Sequence, residues 1–200
     1  MKSNGSYSRK VGREVWHGDM GKKNYRKGQH GPSGMTKRSV FGKQLLEKQY
    51  VRYHYGLMEK TMFNLMKRAK KMKGNTIDNI ALLLESRLAT LLYRANFAKS
   101  IFAAGQMVLH GKVKVNGKRI NLRGYNVKVG DVVEIVEPYR SNENLNSSIT
   151  NPITQSPDYI VVDKDKYSVS LAREPGFKEI PFPFKGIDSN LIISYYSRRL

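Results

Sequence analysis

LLESRLATLLYRANFAKSIFAAGQMVLHGKVKVNGKRI, residues 83–120, changes its hydrophobic period partway along. Ile80, Leu83, Leu84, Leu88, Leu91 and Leu92 form one apolar stripe at helical spacing. Gly74 stops whatever precedes this helix, and Asn75 or Thr76 supplies its cap. Asp78 then lies in the first turn, where a carboxylate suits the helix dipole. The helix is expected to run unbroken through Arg94, and Asn96 and Phe97 end it. Ser100 caps a further helix, IFAAGQMVLHG, which Gly111 closes. From Lys112 onward basic and apolar residues alternate, and Asn116-Gly117 is a two-residue hairpin signal. Val113, Val115 and Ile120 should face a small core, with Lys112 and Lys114 on the opposite face. Gly130-Asp131 turns the chain into a later strand, Asp131 to Val136.

The expected unit is two helices followed by a small antiparallel sheet, over residues 84–136. Its outward positive groups are Arg87, Arg94, Lys99, Lys112, Lys114, Lys118 and Arg119. Arg87 and Arg94 lie seven apart, which puts them on nearly one helical face. Such a patch follows phosphates without reading bases. The rival reading is a solvated face whose lysines protect a strand edge.

Charge is distributed unevenly along the 200 residues. Residues 1–80 hold 19 basic and 5 acidic side chains, residues 81–136 hold 9 and 3, and residues 137–200 hold 8 and 8. The total of +20 calls for a polyanionic partner along the first two-thirds, nucleic acid or an anionic membrane surface. The absence of Cys excludes disulfides and cysteine-ligated zinc. His17, His30, His54 and His110 are too scattered for a metal cluster, so no cofactor is expected. No apolar run reaches bilayer-spanning length, and the first residues lack a signal-peptide core.

Outward from the module, residues 1–40 read as a basic arm. NYRKGQHGPSG at 24–34 holds no regular element, and on its own the arm is loosely ordered. It either wraps RNA and orders there or serves as a solubilising tail. Trp16, Tyr25 and His30 would stack on bases or anchor it. Residues 41–72 read as two helices jointed at Gly56. Leu45, Leu46, Gln49, Tyr50 and Tyr53 form the first apolar face, and Leu57, Met58, Met62, Phe63 and Met66 the second. The second helix ends in Lys67, Arg68, Lys70, Lys71 and Lys73, more cations than capping needs, and phosphate contact accounts for the excess. Residues 137–156 read as a linker or surface loop. Two short strands follow, Tyr159 to Asp163 and Tyr167 to Leu171. Leu191 to Ser197 is a strand or tight apolar tail that docks near the 41–83 helices.

These residues resemble the family of ribosomal small-subunit protein four across almost the whole chain. Residues 83–120 are similar to the compact RNA-binding module named after that protein, which also occurs in RNA-modifying and tRNA-charging enzymes. NYRKGQHGP at 24–32, FGKQLLEKQYVRYHYGLMEKTMF at 41–63 and IPFPFKGIDSNLIISYYSR at 180–198 resemble the family's flanking segments in the right order. The resemblance implies an α+β fold with a basic extended rRNA-binding arm over residues 1–40. It implies a first domain made of the 41–83 helices and a C-terminal part, residues 157–200, that returns to them. The α/β module at 84–136 is inserted between, followed by the 137–156 linker.

The resemblance also implies a structural role rather than an enzymatic one. The family binds the 5′ domain of small-subunit rRNA early in assembly. It lies beside the small-subunit proteins numbered three and five, near the channel by which messenger RNA enters, and bears on decoding fidelity. By match, Tyr25, Arg26, Lys27, Gln29 and His30 belong to the rRNA-buried arm, and Lys43, Gln44 and Lys48 to a basic helical surface. Arg87, Arg94, Lys112, Lys114, Lys118 and Arg119 belong to the module's RNA face. Asn96 stands where the family commonly has Gly, and its tolerance of left-handed backbone preserves the turn. MKGNT at 72–76 and SIFAAGQ at 100–106 resemble the alphaproteobacterial type. That lineage, with abundant Asn, Tyr, Lys and Ile, points to a mitochondrial ribosome, with bacterial cytoplasm as the alternative.

Three rival functions remain. An RNA-modifying enzyme requires a catalytic domain, and Asp163, Asp165 and Asp188 do not group into one. A membrane-surface binder requires a sustained basic amphipathic helix, which residues 57–73 only weakly provide. A free RNA-binding regulator carrying the same module is the third.

Overall fold

In a computed structural model, residues 5–16, 25, 38–181 and 186–197 are described. The chain divides into two units, Met1–Arg68 with Pro181–Leu200, and Ala69–Ile180.

The first unit is helical. Its first helix, α1 (Gly5–Val11), corrects the reading of residues 1–40 as one extended arm; residues 24–34, expected to hold no regular element, lie outside the described residues except for Tyr25. Val15 and Trp16 follow it into the core. The Trp16 indole Nε1–H donates to the His54 carbonyl at 3.2 Å, so this ring anchors the segment rather than offering itself to a base. Ser39 caps α2 (Val40–His54), its hydroxyl accepting from the Gly42 N–H. Gly56, at φ 59°, makes the expected joint before α3 (Glu59–Lys71). On α2 the buried face is Gln44, Lys48, Tyr50 and Val51, rotated from the face expected from leucine spacing.

Lys48 explains the rotation. Its ammonium reaches Glu59 at 2.8 Å and lies 4.7 Å from the centre of the Tyr195 ring, so a charged residue occupies the interior position. Tyr195 belongs to α9 (Ser189–Ser197), which packs on α2 through a stacked pair with Phe41 at 5.8 Å. Residues 189–197 therefore dock on α2 and α3, as a helix rather than a strand. Tyr196 beside it is buried, and its hydroxyl donates to Glu59 at 3.1 Å.

The second unit combines helices with a sheet. Asn75 caps α4 (Thr76–Glu85) by accepting from the Ile77 N–H at 3.0 Å. The single long helix expected next is broken: α4 ends at Glu85, and α5 (Leu88–Arg94) begins after Ser86 and Arg87. The break is held by an extended segment alongside. The Val127 N–H donates to the Ser86 carbonyl at 2.7 Å and the Leu88 N–H to the Tyr125 carbonyl at 2.8 Å. Asn96 then turns the chain at φ 59°, and Ser100 caps α6 (Ile101–Leu109). The stripe of Ile80, Leu83, Leu84, Leu88, Leu91 and Leu92 is buried throughout.

The sheet has five antiparallel strands in the order β2-β1-β3-β5-β4. They are β1 (Val113–Val115), β2 (Lys118–Arg119), β3 (Val132–Ile135), β4 (Ile160–Asp163) and β5 (Ser168–Leu171). Asn116 and Gly117, at φ 48° and 79°, form the β1–β2 hairpin, the pair of left-handed residues that a tight two-residue turn requires. Val113, Val115, Val133, Ile135, Val169 and Leu171 point into the core, whereas Ile120 is only half-buried.

Two organisational expectations are corrected here. Residues 137–156 carry helices α7 (Glu137–Arg140) and α8 (Glu143–Thr150), held by buried Leu145 and an Asn142 cap. The β4–β5 hairpin pairs with β3 of the module, so it does not return to the helical unit.

One buried polar cluster ties the second unit together. Glu85 at the end of α4 and Arg94 at the end of α5 are 0% and 1% exposed in their side chains. Arg94 grips the carboxylate with Nε at 3.1 Å and Nη2 at 2.8 Å, and the Tyr159 hydroxyl donates to it at 2.9 Å. Burial, together with the neighbouring Glu85 carboxylate, holds the Tyr159 hydroxyl far above its ordinary range, so it remains a donor. Removing one member of a buried pair strands the other charge in a medium that cannot solvate it. Arg94→Met is expected to destabilise the protein by about 3–5 kcal/mol in denaturant unfolding. Glu85→Met, Arg94→Met and Tyr159→Phe combined should recover most of that loss; a triple variant no more stable than the single would contradict the account.

In the first unit, burial alone raises the Glu59 pKa. Lys48, the Tyr196 hydroxyl and Arg52 together outweigh it and leave the carboxyl below its usual range. A depressed carboxyl contributes stability above its unfolded value and loses it as pH falls through the folded value. Glu59→Gln should therefore reduce the melting temperature near neutrality, and the gap from the native protein should close on acidification below about pH 4. A pH-independent gap would show that the charge is not what Glu59 contributes.

Candidate nucleic-acid interface

The basic residues singled out on the module, Arg94 apart, fall in three places of the second unit. The first is the outer face of the sheet, read from the strand register. Arg119 lies beside Lys114, Lys114 beside Glu134, Glu134 beside Ser168, and Ser168 beside Asp163. This row is positive at the β2–β1 end and acidic towards β4. At the β4 end Asp163 is itself paired with Lys166 at 3.8 Å. Lys118, in register with Val115, falls on the opposite side of the ribbon and is exposed there.

The second place is an open groove of about 420 Å³. Lys99, His110, Lys112 and Tyr139 line it together with Phe97, Met107 and Leu145. The Lys112 ammonium stands 5.7 Å from the Tyr139 ring centre. Sequence alternation paired Lys112 with Lys114; the structure instead brings Lys112 to the groove with Lys99, and Lys114 to Arg119.

The third place is the corner where α4 meets α5. Arg87 is the residue before α5 and is 8% exposed, so it is not the outward group expected. Its guanidinium lies against Gly124, where an added Cβ would stand 3.6 Å from Nη2. Burial, and the nearby Arg123, lower the Arg87 pKa. Arg123 itself is exposed and lies along α6, its Cδ 3.3 Å from where a Gly105 Cβ would be. Arg123 and the exposed Lys128 were not singled out in the sequence. The only signal was a basic residue in the turn-rich stretch NLRGYN.

Arg94 corrects the outward patch most clearly. The break at Ser86 and Arg87 removes the shared helical face, and the buried Glu85 carboxylate takes its guanidinium. In the helical unit Gln44 and Lys48 are likewise buried, the latter paired with Glu59, so neither lies on an open basic surface. Lys43 is exposed. On α3 the side chains of Lys67, Arg68, Lys70 and Lys71 are exposed around buried Leu65, Met66 and Ala69. Tyr25 is 40% exposed; Arg26, Lys27, Gln29 and His30 lie outside the described residues.

A family model described as the Ribosomal protein S4/S9 N-terminal domain matches residues 2–85, and one described as the S4 domain matches residues 86–133. Small ribosomal subunit protein uS4 of Rickettsia felis is 39% identical over 196 residues, covering 96% of this chain and 95% of the relative. The protein of the same name from Rickettsia canadensis is 40% identical over 196 residues with the same coverage.

Proposed function

The chain belongs to the uS4 family of small ribosomal subunit proteins, structural RNA-binding proteins rather than enzymes, and from that premise we propose how it works. It binds the 5′ domain of small-subunit rRNA directly, as an early component of assembly. The observation that carries this reading is the pairing of Lys114 with Arg119 on the β1–β2 hairpin, together with Lys99 and Lys112 at the groove. Lys114, Lys118 and Arg119 on the hairpin and Lys99 and Lys112 at the groove meet backbone phosphates. Such contacts fix position and register but carry no base sequence.

The exposed cations of α3, with Lys43, extend the contact from the helical unit, and the arm with Tyr25, Arg26, Lys27, Gln29 and His30 orders within rRNA. Proteins numbered three and five of the small subunit are its neighbours near the messenger channel, where it supports decoding fidelity. We assign it to the mitochondrial small subunit. The Asn-, Tyr-, Lys- and Ile-rich composition and the kinship to Rickettsia proteins support this, with a bacterial cytoplasmic ribosome as the alternative.

Binding of the full chain to a transcript of the 5′ domain should show a steep dependence on salt, because each neutralised phosphate releases counterions. Lys112→Glu with Lys114→Glu should weaken binding and lower the slope by about two, at unchanged circular dichroism. A nearly flat slope for the native chain would overturn the electrostatic reading, and an unchanged slope in the variant would show that these two contact sites are wrongly chosen.

A further inference from the structure

Arg87 is an anomaly in a folded protein. Buried charges are paired, because the interior cannot replace the water they lose. Arg94, seven residues on, obeys this through Glu85. Arg87 does not: among the described residues its guanidinium has neither a carboxylate nor a hydrogen-bond acceptor, a second arginine is the charge that acts on it, and its nitrogens are not sealed from solvent although the residue is 8% exposed. Arg123 is held there by the same backbone. Its carbonyl accepts from the Ala89 N–H at 3.4 Å, and the next residue, Gly124, presents a bare Cα to the Arg87 guanidinium. Gly105 on α6 leaves room for the Arg123 stem. Two glycines thus clear space around two cations that repel each other.

We propose that Arg87 and Arg123 form a clamp for a single phosphate of the RNA backbone, received at the corner between α4, α5 and the 121–127 segment. The proposal rests on the RNA-binding reading above and adds to it a defined contact and a residue, Arg123. A phosphodiester fits the chemistry: it is a compact anion with unshared oxygens that two planar guanidiniums can bind together. It neutralises the pair at once, so the repulsion stored in the free protein becomes binding energy. Arg87, fixed by burial, is the rigid arm of the clamp. Arg123, exposed, closes over the ligand.

The test compares the full chain with Arg123→Gln and with Arg87→Gln plus Arg123→Gln. It uses the 5′-domain transcript, thermal melting of the free proteins, and side-chain Nε–Hε resonances titrated with inorganic phosphate. Arg123→Gln relieves a repulsion, so the free protein should melt no lower than the native chain. Its rRNA binding should weaken, with the salt slope reduced by about one. The double variant should lose no further slope, because both residues serve one phosphate. Inorganic phosphate should shift the Arg87 and Arg123 resonances together. An unchanged slope in Arg123→Gln, a fall of about two in the double variant, or a lower melting temperature for Arg123→Gln would each overturn the clamp. A native chain that fails to bind the transcript would defeat the functional reading instead, and the phosphate titration then decides the clamp by itself.

Discussion

Glu85 is sealed from water at the end of α4, and its charge has to be met inside the protein. Arg94 meets it from α5 and Tyr159 from the approach to β4, so three segments far apart in sequence converge on one carboxylate. For Arg94 to reach back to Glu85 the chain cannot continue as one helix. It turns at Ser86 and Arg87, and the backbone groups freed by the turn are taken up by residues 125 and 127. The same corner therefore draws the segment after the β-hairpin against the helices. That approach brings Gly124 to Arg87 and Arg123 to α6. The position of the unneutralised arginine follows from the neutralisation of the other.

This division of labour between two arginines was invisible to spacing. A separation of seven reads as one face only if the helix is continuous, and the break rests on tertiary hydrogen bonds that no local signal encodes. Local chemistry was legible elsewhere. The Asn75 and Ser100 caps, the left-handed turn at Asn96, the Asn116-Gly117 hairpin and the leucine stripe each follow from the residue's own conformational preference or from hydrophobic period. What failed involved distant partners. Lys48 is interior because Glu59 and Tyr195 come to it from α3 and α9. Residues 159–171 read correctly as strands, but their choice of β3 as partner depends on the sheet edge offered by the module. The 137–156 stretch carries Ser and Asn as caps, not only as loop formers, and Leu145 anchors it.

The electrostatic picture is sharper than net charge suggested. The +20 total is not a uniform coat. Part of it is spent internally, in Arg94, Lys48 and Arg13, the last paired with Glu47 and stacked 3.9 Å from the Tyr50 ring centre. Among the described residues, cations left open include those at the end of α3, on the β1–β2 hairpin, at the groove with Lys99 and Lys112, and at Arg123.

The central claim is that these sites lie against small-subunit rRNA in the assembled particle. RNA crosslinking with mass spectrometry on native particles from the source cell tests it most directly. The account predicts crosslinks from the α3 terminus and from residues 112–123 to small-subunit rRNA, and the identity of that rRNA separates a mitochondrial ribosome from a bacterial one. Crosslinks confined to messenger or transfer RNA, with no sedimentation alongside small subunits, would contradict it.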